Sequence, residues 1–324
     1  MKRVIALGFF DGVHIGHAAL LRQALKSAEA YTPPVQAVAM TFDTPPREII
    51  SGNILPLLTT TEQRSEIIRK QFGMDCIALP FTDNLMQMSY SDFVPQVLQT
   101  QYDAVGVVVG EDYRYGYGGE GNAEILRQQC IELGMSCDIV SRVRIDDEIV
   151  SATAIRALLA RGETARANEF LGRAHTLCLP VCRGRGLGKQ LGFPTANMLL
   201  PKNLQQPALG VYRAQVKHND KIWAAVTNIG KRPTVSDDAL EYSIGKSPEI
   251  AFAPSFAKDR RDAPIIIESH LIGYHGDLYD QILCVELLSF MRAERKFDSL
   301  DELKIQMAMD RSFVEGRADA RGCR

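Results

Sequence analysis

The chain reads as α/β plus β: a first half built on a parallel sheet, then an antiparallel barrel followed by one helix. Three observations carry this expectation. From residue 3 to about 160, short apolar runs alternate with amphipathic ones, the pattern of βαβ units. From about 175, strand-like runs follow one another across turns rich in Gly, Pro and Asn. No long amphipathic helix then recurs until "SLDELKIQMAMDRSFVEG". At 324 residues the chain exceeds the about 100–200 typical of one domain, and the pattern changes near 168–176. Domains over 1–172 and 173–324 are expected.

The elements follow in order. "MKRVIALGFFDGV" opens with two basic residues and an apolar run, as a secretory leader does, but the run is short and broken by Asp11 and Gly12. "RVIALGF" is therefore a buried first strand, and "VQAVAMTF", "DCIALPF", "DAVGVVVG" and "CDIVSRV" continue the sheet. "HAALLRQALKSAEA", "TTEQRSEIIRKQF", "SDFVPQVLQTQ" and "NAEILRQQCIELG" are its helices, several with Ser, Thr or Asn near the start and Gly near the end. "SATAIRALLARG" and "ETARANEFLG" close this half. "HTLCLPVCRG", "GVYRAQVKH", "KIWAAVTNIG", "APIIIESHLIGY" and "QILCVELLSFM" are the barrel strands, and 245–264 reads as a long exposed loop.

The composition, 46% hydrophobic and 23% charged, is that of an ordinary soluble globular protein. With 37 Lys plus Arg against 39 Asp plus Glu, nothing in the charge points to nucleic acid or a membrane, which leaves small molecules as ligands. The seven cysteines, at 76, 130, 137, 178, 182, 284 and 323, are odd in number and contain no CxxC pair. They are expected to be reduced thiols of a cytoplasmic protein.

Two stretches carry chemistry. "HIGH" follows the first strand, at the carboxyl edge where such sheets bind ligands. Gly16 admits a bulky anion, the helix start offers N–H groups to it, and His14 and His17 flank the turn. These parts suit nucleotidyl transfer, in which a phosphate nucleophile needs positioning rather than a base. Thr153 and Arg156 in "SATAIR" offer a second phosphate clamp. "RGRGLGKQLGFPTAN", residues 183–197, is glycine-rich, but Gln190 follows Lys189 where a Walker A loop has Ser or Thr. Its Thr195 and Asn197 offer hard oxygens suited to Mg²⁺ on ATP phosphates, or simply polar residues of a turn.

"GFFDGVHIGHAALL", "VVVGEDYRYGYGGEGN", "SATAIRALLARGE" and "ANEFLGRAH", in that order, resemble the adenylyltransferase half of the bacterial bifunctional riboflavin kinase/FMN adenylyltransferase (FAD synthetase) family. Class I aminoacyl-tRNA synthetases share the "HIGH" signature, but they are usually longer and their lysine loop is absent here. "GFPTAN", "AAVTNIGKRPT" and "FMRAERKF" resemble the kinase half, so the resemblance covers nearly the whole chain. It implies a Rossmann-like nucleotidyltransferase domain and a riboflavin kinase barrel with a C-terminal helix. It also implies Mg²⁺ and ATP, FMN and FAD as substrate and product, a cytoplasmic enzyme, and no nucleic-acid or membrane partner. His14, His17 and Arg156 would serve adenylyl transfer. Gly8, Phe10, Gly16 and Thr153 would bind its nucleotide; Gly184, Gly186 and Lys189 would bind the kinase ATP. Asp112, Asn228 and Arg292 would touch flavin, and Thr195 and Asn197 the metal. Phosphorylating an alcohol needs a base, and Glu268 in "IIIESHLIGY" occupies the family's position for it. Phe193 and Tyr212 read as core.

The chain departs from the family pattern in several places. Pro45 stands where a histidine is usual, and Ala152 where a second serine is. Tyr113 and Tyr115 replace phenylalanines, and the connection from Thr234 to Glu268 is long. Gly273, His275 and Asp280 stand where Asp, Asp and Gly are commoner. These changes leave open a riboflavin kinase whose adenylyltransferase domain is weak or inactive. A flavin-binding module with neither activity would not need Glu268, Thr195 and Asn197 together.

Overall fold

After Arg3, β1 (Arg3–Leu7) is apolar because it becomes the central strand of a parallel sheet, with Val4, Ile5 and Ala6 fully buried. The computed structural model describes residues 1–184, 187–219, 221–231 and 263–319. Most of the loop expected at 245–264 lies outside them. β2 (Gln36–Phe42), β3 (Asp75–Leu79), β4 (Ala104–Gly110) and β5 (Ser136–Val140) complete the sheet in the order β3-β2-β1-β4-β5. The order reverses direction between β1 and β4, the switch point at which open α/β sheets bind ligands.

The two-residue period sorts each strand between two cores. Ile5, Leu7, Val107 and Val109 join one, with Phe93, Leu98 and Leu126; Val4, Ala6 and Val108 join the other, with Leu21 and Ile68. α1 (Ile15–Glu29) follows β1, and α2 (Thr61–Phe72) begins at a reciprocal capping box between Thr60 and Gln63. Phe93–Gln101, expected as an α-helix, is π-helical: the Tyr102 N–H reaches back five residues to the Val97 carbonyl, and the Thr100 hydroxyl to Pro95. Asn122 caps α3 (Ala123–Glu132).

The second unit is a closed antiparallel barrel. Its strands are β6 (His175–Cys182), β7 (Ala196–Leu199), β8 (Gly210–His218), β9 (Lys221–Lys231), β10 (Ile265–Leu271) and β11 (Ile282–Arg292). They close in the order β6-β7-β10-β9-β8-β11. Leu177, Tyr212, Ala225, Thr227, Ile267, Ser269 and Val285 fill the interior. Thr227 and Ser269 satisfy each other there across 2.9 Å. α4 (Ala152–Ala160), α5 (Thr164–Leu171) and α6 (Leu300–Asp319) are the remaining long helices described.

Contacts divide the chain into one unit of residues 1–155 and 170–172 and another of 156–169 and 173–324. Residues 156–169 therefore pack with the barrel. Asn168 shows why: its Nδ2 donates to the Leu287 carbonyl at 2.8 Å and its Oδ1 accepts the His175 N–H at 2.8 Å.

One expectation is overturned. Cys178 and Cys284 form a disulfide instead of remaining reduced thiols. The antiparallel register of β6 and β11 sets them directly opposite each other, across 106 residues of sequence, so no local spacing announces the pair. Cys76, Cys130, Cys137 and Cys182 are free thiols, and Cys323 lies outside the described residues.

Candidate active sites

The turn after β1 is held from beneath. Gly8 leaves room for the Phe10 ring, which a Cβ there would meet at 3.0 Å. Phe10 adopts a left-handed φ of 54° and is fully buried, its ring edge-on to His17 at 5.3 Å. Phe10 and Gly8, expected on the nucleotide, thus shape the floor under His17. Gly12 also needs its left-handed φ of 74°, and a Cβ there would stand 2.7 Å from Leu58. Buried Asp11 accepts the Leu58 and Thr59 N–H groups at 2.9 and 3.1 Å.

His14 is the N-cap of α1: its Nδ1 accepts the His17 N–H at 3.3 Å, and the two rings stack with centroids 3.6 Å apart. A nitrogen that accepts an amide proton carries none itself, so His14 presents its N–H from Nε2. A Cβ on Gly16, expected to admit an anion, would press on the His14 ring at 3.1 Å, so this glycine makes room for the ring. The sequence brings both histidines to the helix start at the sheet's switch point.

Arg64 is a residue supporting this turn that sequence reasoning missed. On the amphipathic α2 it looks like a solvated residue, yet it is fully buried. Its Nη1 donates to the Phe9 carbonyl at 2.7 Å, its Nη2 to Thr61 Oγ1 at 2.8 Å, and its guanidinium lies 4.2 Å over the Phe9 ring. Burial lowers its pKa, and Asp11 is the foremost of the acidic groups opposing that shift. Arg64→Met should keep the volume but remove the charged strut under the turn, costing about 1.5–3 kcal/mol. A melting curve should show this loss, with FAD synthesis falling more than FMN synthesis. An unchanged melting curve would remove the strut role.

Ser151, not Ala152, caps α4, its Oγ accepting the Ala154 N–H at 3.2 Å; Thr153 is exposed in the first turn. Arg156 groups with the barrel unit. Pro45 precedes a short helix, Pro46–Ser51, which has no side-chain cap. Beyond β4, exposed Asp112 pairs with Arg142 at 3.4 Å, and Glu111 pairs with the same guanidinium at 3.5 Å. The tyrosines in place of phenylalanines are accommodated: the Tyr115 hydroxyl donates to Gln129 Oε1 at 2.6 Å and its ring stacks on Tyr113 at 5.9 Å. Burial pushes both phenols well up.

In the barrel, register assembles the second site. Asn197 of β7 pairs with Glu268 of β10, and Glu268 pairs with Asn228 of β9. Directly opposed residues point to one face, so all three form a row on the barrel's outside, alternating with the interior Ser269 and Thr227. The chain leaving β6 folds over this row: a Cβ on Gly184 would stand 2.5 Å from the Asn197 carboxamide, and one on Gly188 3.2 Å from Thr195 Oγ1. Asn197 Nδ2 donates to the Thr195 carbonyl at 3.3 Å, which leaves Oδ1 for a cation. Asn228 donates to Glu294 Oε1 at 3.4 Å. Gly186 and the Lys189 side chain lie outside what the structure describes. Phe193 and Tyr212 are core, as expected.

Arg292, expected on the flavin, is held by an ion pair. Its Nε and Nη2 donate to Asp310 Oδ1 and Oδ2 at 3.2 and 2.7 Å, a bidentate pair that fastens α6 to the end of β11. The ion pair with buried Asp310 fixes where the guanidinium lies, and its Nη1 donates to the Ala293 carbonyl at 3.2 Å.

Fold and sites together define a protein of two phosphate-handling centres, one at the switch point of a nucleotidyltransferase-type sheet and one on a glycine-flapped barrel. The FAD synthetase family model matches residues 1–154, and the riboflavin kinase model residues 171–316. A bifunctional riboflavin kinase/FMN adenylyltransferase from Pseudomonas fluorescens is 30% identical over 95% of this chain and 90% of its own length. Another from Listeria monocytogenes is 30% identical over 96% and 90%, and that of Escherichia coli K12 29% identical over 95% and 90%. The chain belongs to the bifunctional riboflavin kinase/FMN adenylyltransferase family. A solved structure described as a macrolide-efflux protein from Streptococcus pneumoniae shares the fold, with a TM-score of 0.80 at 24% identity over 97% of this chain and 94% of that one. No helix among the described residues is long and apolar enough to cross a membrane.

Proposed function

We propose that residues 173–324 phosphorylate riboflavin to FMN with Mg-ATP, and that residues 1–172 adenylylate FMN to FAD with release of pyrophosphate. The observation that carries this reading is the row Asn197, Glu268, Asn228, with Gly184 folded over Asn197. Glu268 takes the proton from the riboflavin 5′-hydroxyl as it attacks the γ-phosphorus. Thr195 Oγ1 and Asn197 Oδ1, two neutral hard oxygens under a glycine cradle, fit Mg²⁺, which supplies positive charge at the ATP phosphates. Asn228 lines the flavin side of the row.

In the first domain the FMN phosphate is already an anion, so no base is required when it attacks the α-phosphorus. His14 Nε2, His17 and the first turn of α1 receive the charge that moves onto the departing pyrophosphate. Thr153 and Arg156 hold the same phosphates from α4, and Asp112 faces the flavin. The use of ATP and free flavins supports a cytoplasmic enzyme whose partners are small molecules. Incubating the protein with riboflavin and Mg-ATP should yield FMN and then FAD on chromatography; absence of FMN would sink the kinase reading.

The weak-adenylyltransferase alternative rests on Pro45 and Ala152. Ala152 is half-buried at the start of α4, where a hydroxyl would add one phosphate donor worth about 0.5–1.5 kcal/mol. Ala152→Ser should raise FAD synthesis about two- to tenfold and leave FMN synthesis unchanged. A lower FAD rate with a lower melting temperature would show that the position requires an apolar side chain.

A further inference from the structure

We propose that Cys178 and Cys284 form a reversible thiol–disulfide site on the outside of the barrel, open to a dithiol reductant, which sets how firmly Gly184 is held against Asn197. The bond joins β6 to β11 in the middle of their ladder, His175–Pro180 against Ile282–Leu287. On its other edge β6 pairs with β7 only at Val181 and Cys182. β6 is therefore held mainly by its ladder to β11 and the covalent link within it.

What β6 carries gives the link its consequence. Cys182, four residues on, pairs with Asn197 and donates its thiol to the Asn197 carbonyl at 3.2 Å; Gly184 then lies against the Asn197 carboxamide. Slack in β6 reaches the proposed metal ligand directly. Both cysteines are half-buried and alternate with the interior residues Leu177, Leu179, Leu283 and Val285, which turns their side chains to the barrel's outside, and Lys217, paired in register with Cys284, is exposed. Disulfides on an outer surface are the more readily exchanged ones, and stable disulfides are rare in the cytoplasm proposed above.

The exchange balances without another reactant. A thiolate of the dithiol attacks one sulfur, the other leaves as a thiolate, and the reductant's second thiol displaces the first cysteine. The reductant becomes a disulfide, two cysteine thiols form, and two electrons and two protons are transferred. A disulfide oxidant reverses the step.

The effect on the kinase rests on the functional reading above, but thiol content and melting do not. Denatured protein isolated without reductant should titrate five thiols, and dithiothreitol-treated protein all seven. Reduction should lower the barrel's melting temperature by about 5–15 °C. It should also raise the kinase KM for ATP severalfold while FMN-to-FAD conversion is unchanged. The C178S/C284S variant should behave as reduced protein and ignore dithiothreitol. Seven thiols in protein treated with a disulfide oxidant, or equal melting curves and equal KM values for the two redox forms, would overturn the proposal. Because wild-type protein supplies both redox forms, a variant that fails to fold leaves these readouts intact.

Discussion

Glu268→Gln should lower FMN formation by about 10²–10⁴, the usual contribution of a positioned base, while FMN added from outside is still converted to FAD. The substitution isolates proton transfer. Glutamine keeps the shape and the backbone pairing with Asn197 and Asn228, so the barrel register survives and only the proton acceptor is lost. The riboflavin hydroxyl is too weak an acid to attack without that acceptor. Near-normal kinase turnover in the variant would mean that the base is another group. Comparing both rates in one preparation also controls for protein quality.

His17→Ala should cut FAD synthesis by about 10²–10³ and leave riboflavin phosphorylation intact. His17 stands in the first turn of α1, stacked on His14 and resting edge-on against Phe10, so its ring position is fixed before substrate arrives. Preorganisation of this kind lets a donor act in the transition state without first being ordered. Alanine is a good helix former, and the backbone N–H that His14 accepts remains. Equal loss of both activities would instead assign His17 to folding.

The sequence made the periodic elements legible and the register obscure. β1 and β4 read correctly because burial on both faces demands unbroken apolar runs, and α1 because its apolar positions follow a helical period. β7 did not, since four residues beginning "AN" look like the end of a loop until β10 pairs with them. The row of Asn197, Glu268 and Asn228 joins three distant segments, and only their motifs, not their proximity, were visible. Cys178 with Cys284 and Arg292 with Asp310 failed for the same reason: each pair is made by tertiary register or packing that no local spacing encodes. Arg64 failed because charge predicts exposure, whereas here the guanidinium finds a carbonyl, a hydroxyl and an aromatic face inside the fold.

The cap on α1 explains a choice of residue. Helices ordinarily open with Ser, Thr, Asp or Asn, a side-chain oxygen of which closes the first turn. His14 closes it with Nδ1 and retains a second nitrogen on the far side of a rigid ring. Asparagine at this position would match the acceptor alone, and glutamine would carry a donor outward without a stiff link back to the helix. Imidazole couples the two tasks through its aromatic ring, so the group that sets where the helix begins also sets where its second nitrogen, the proposed phosphate donor, points.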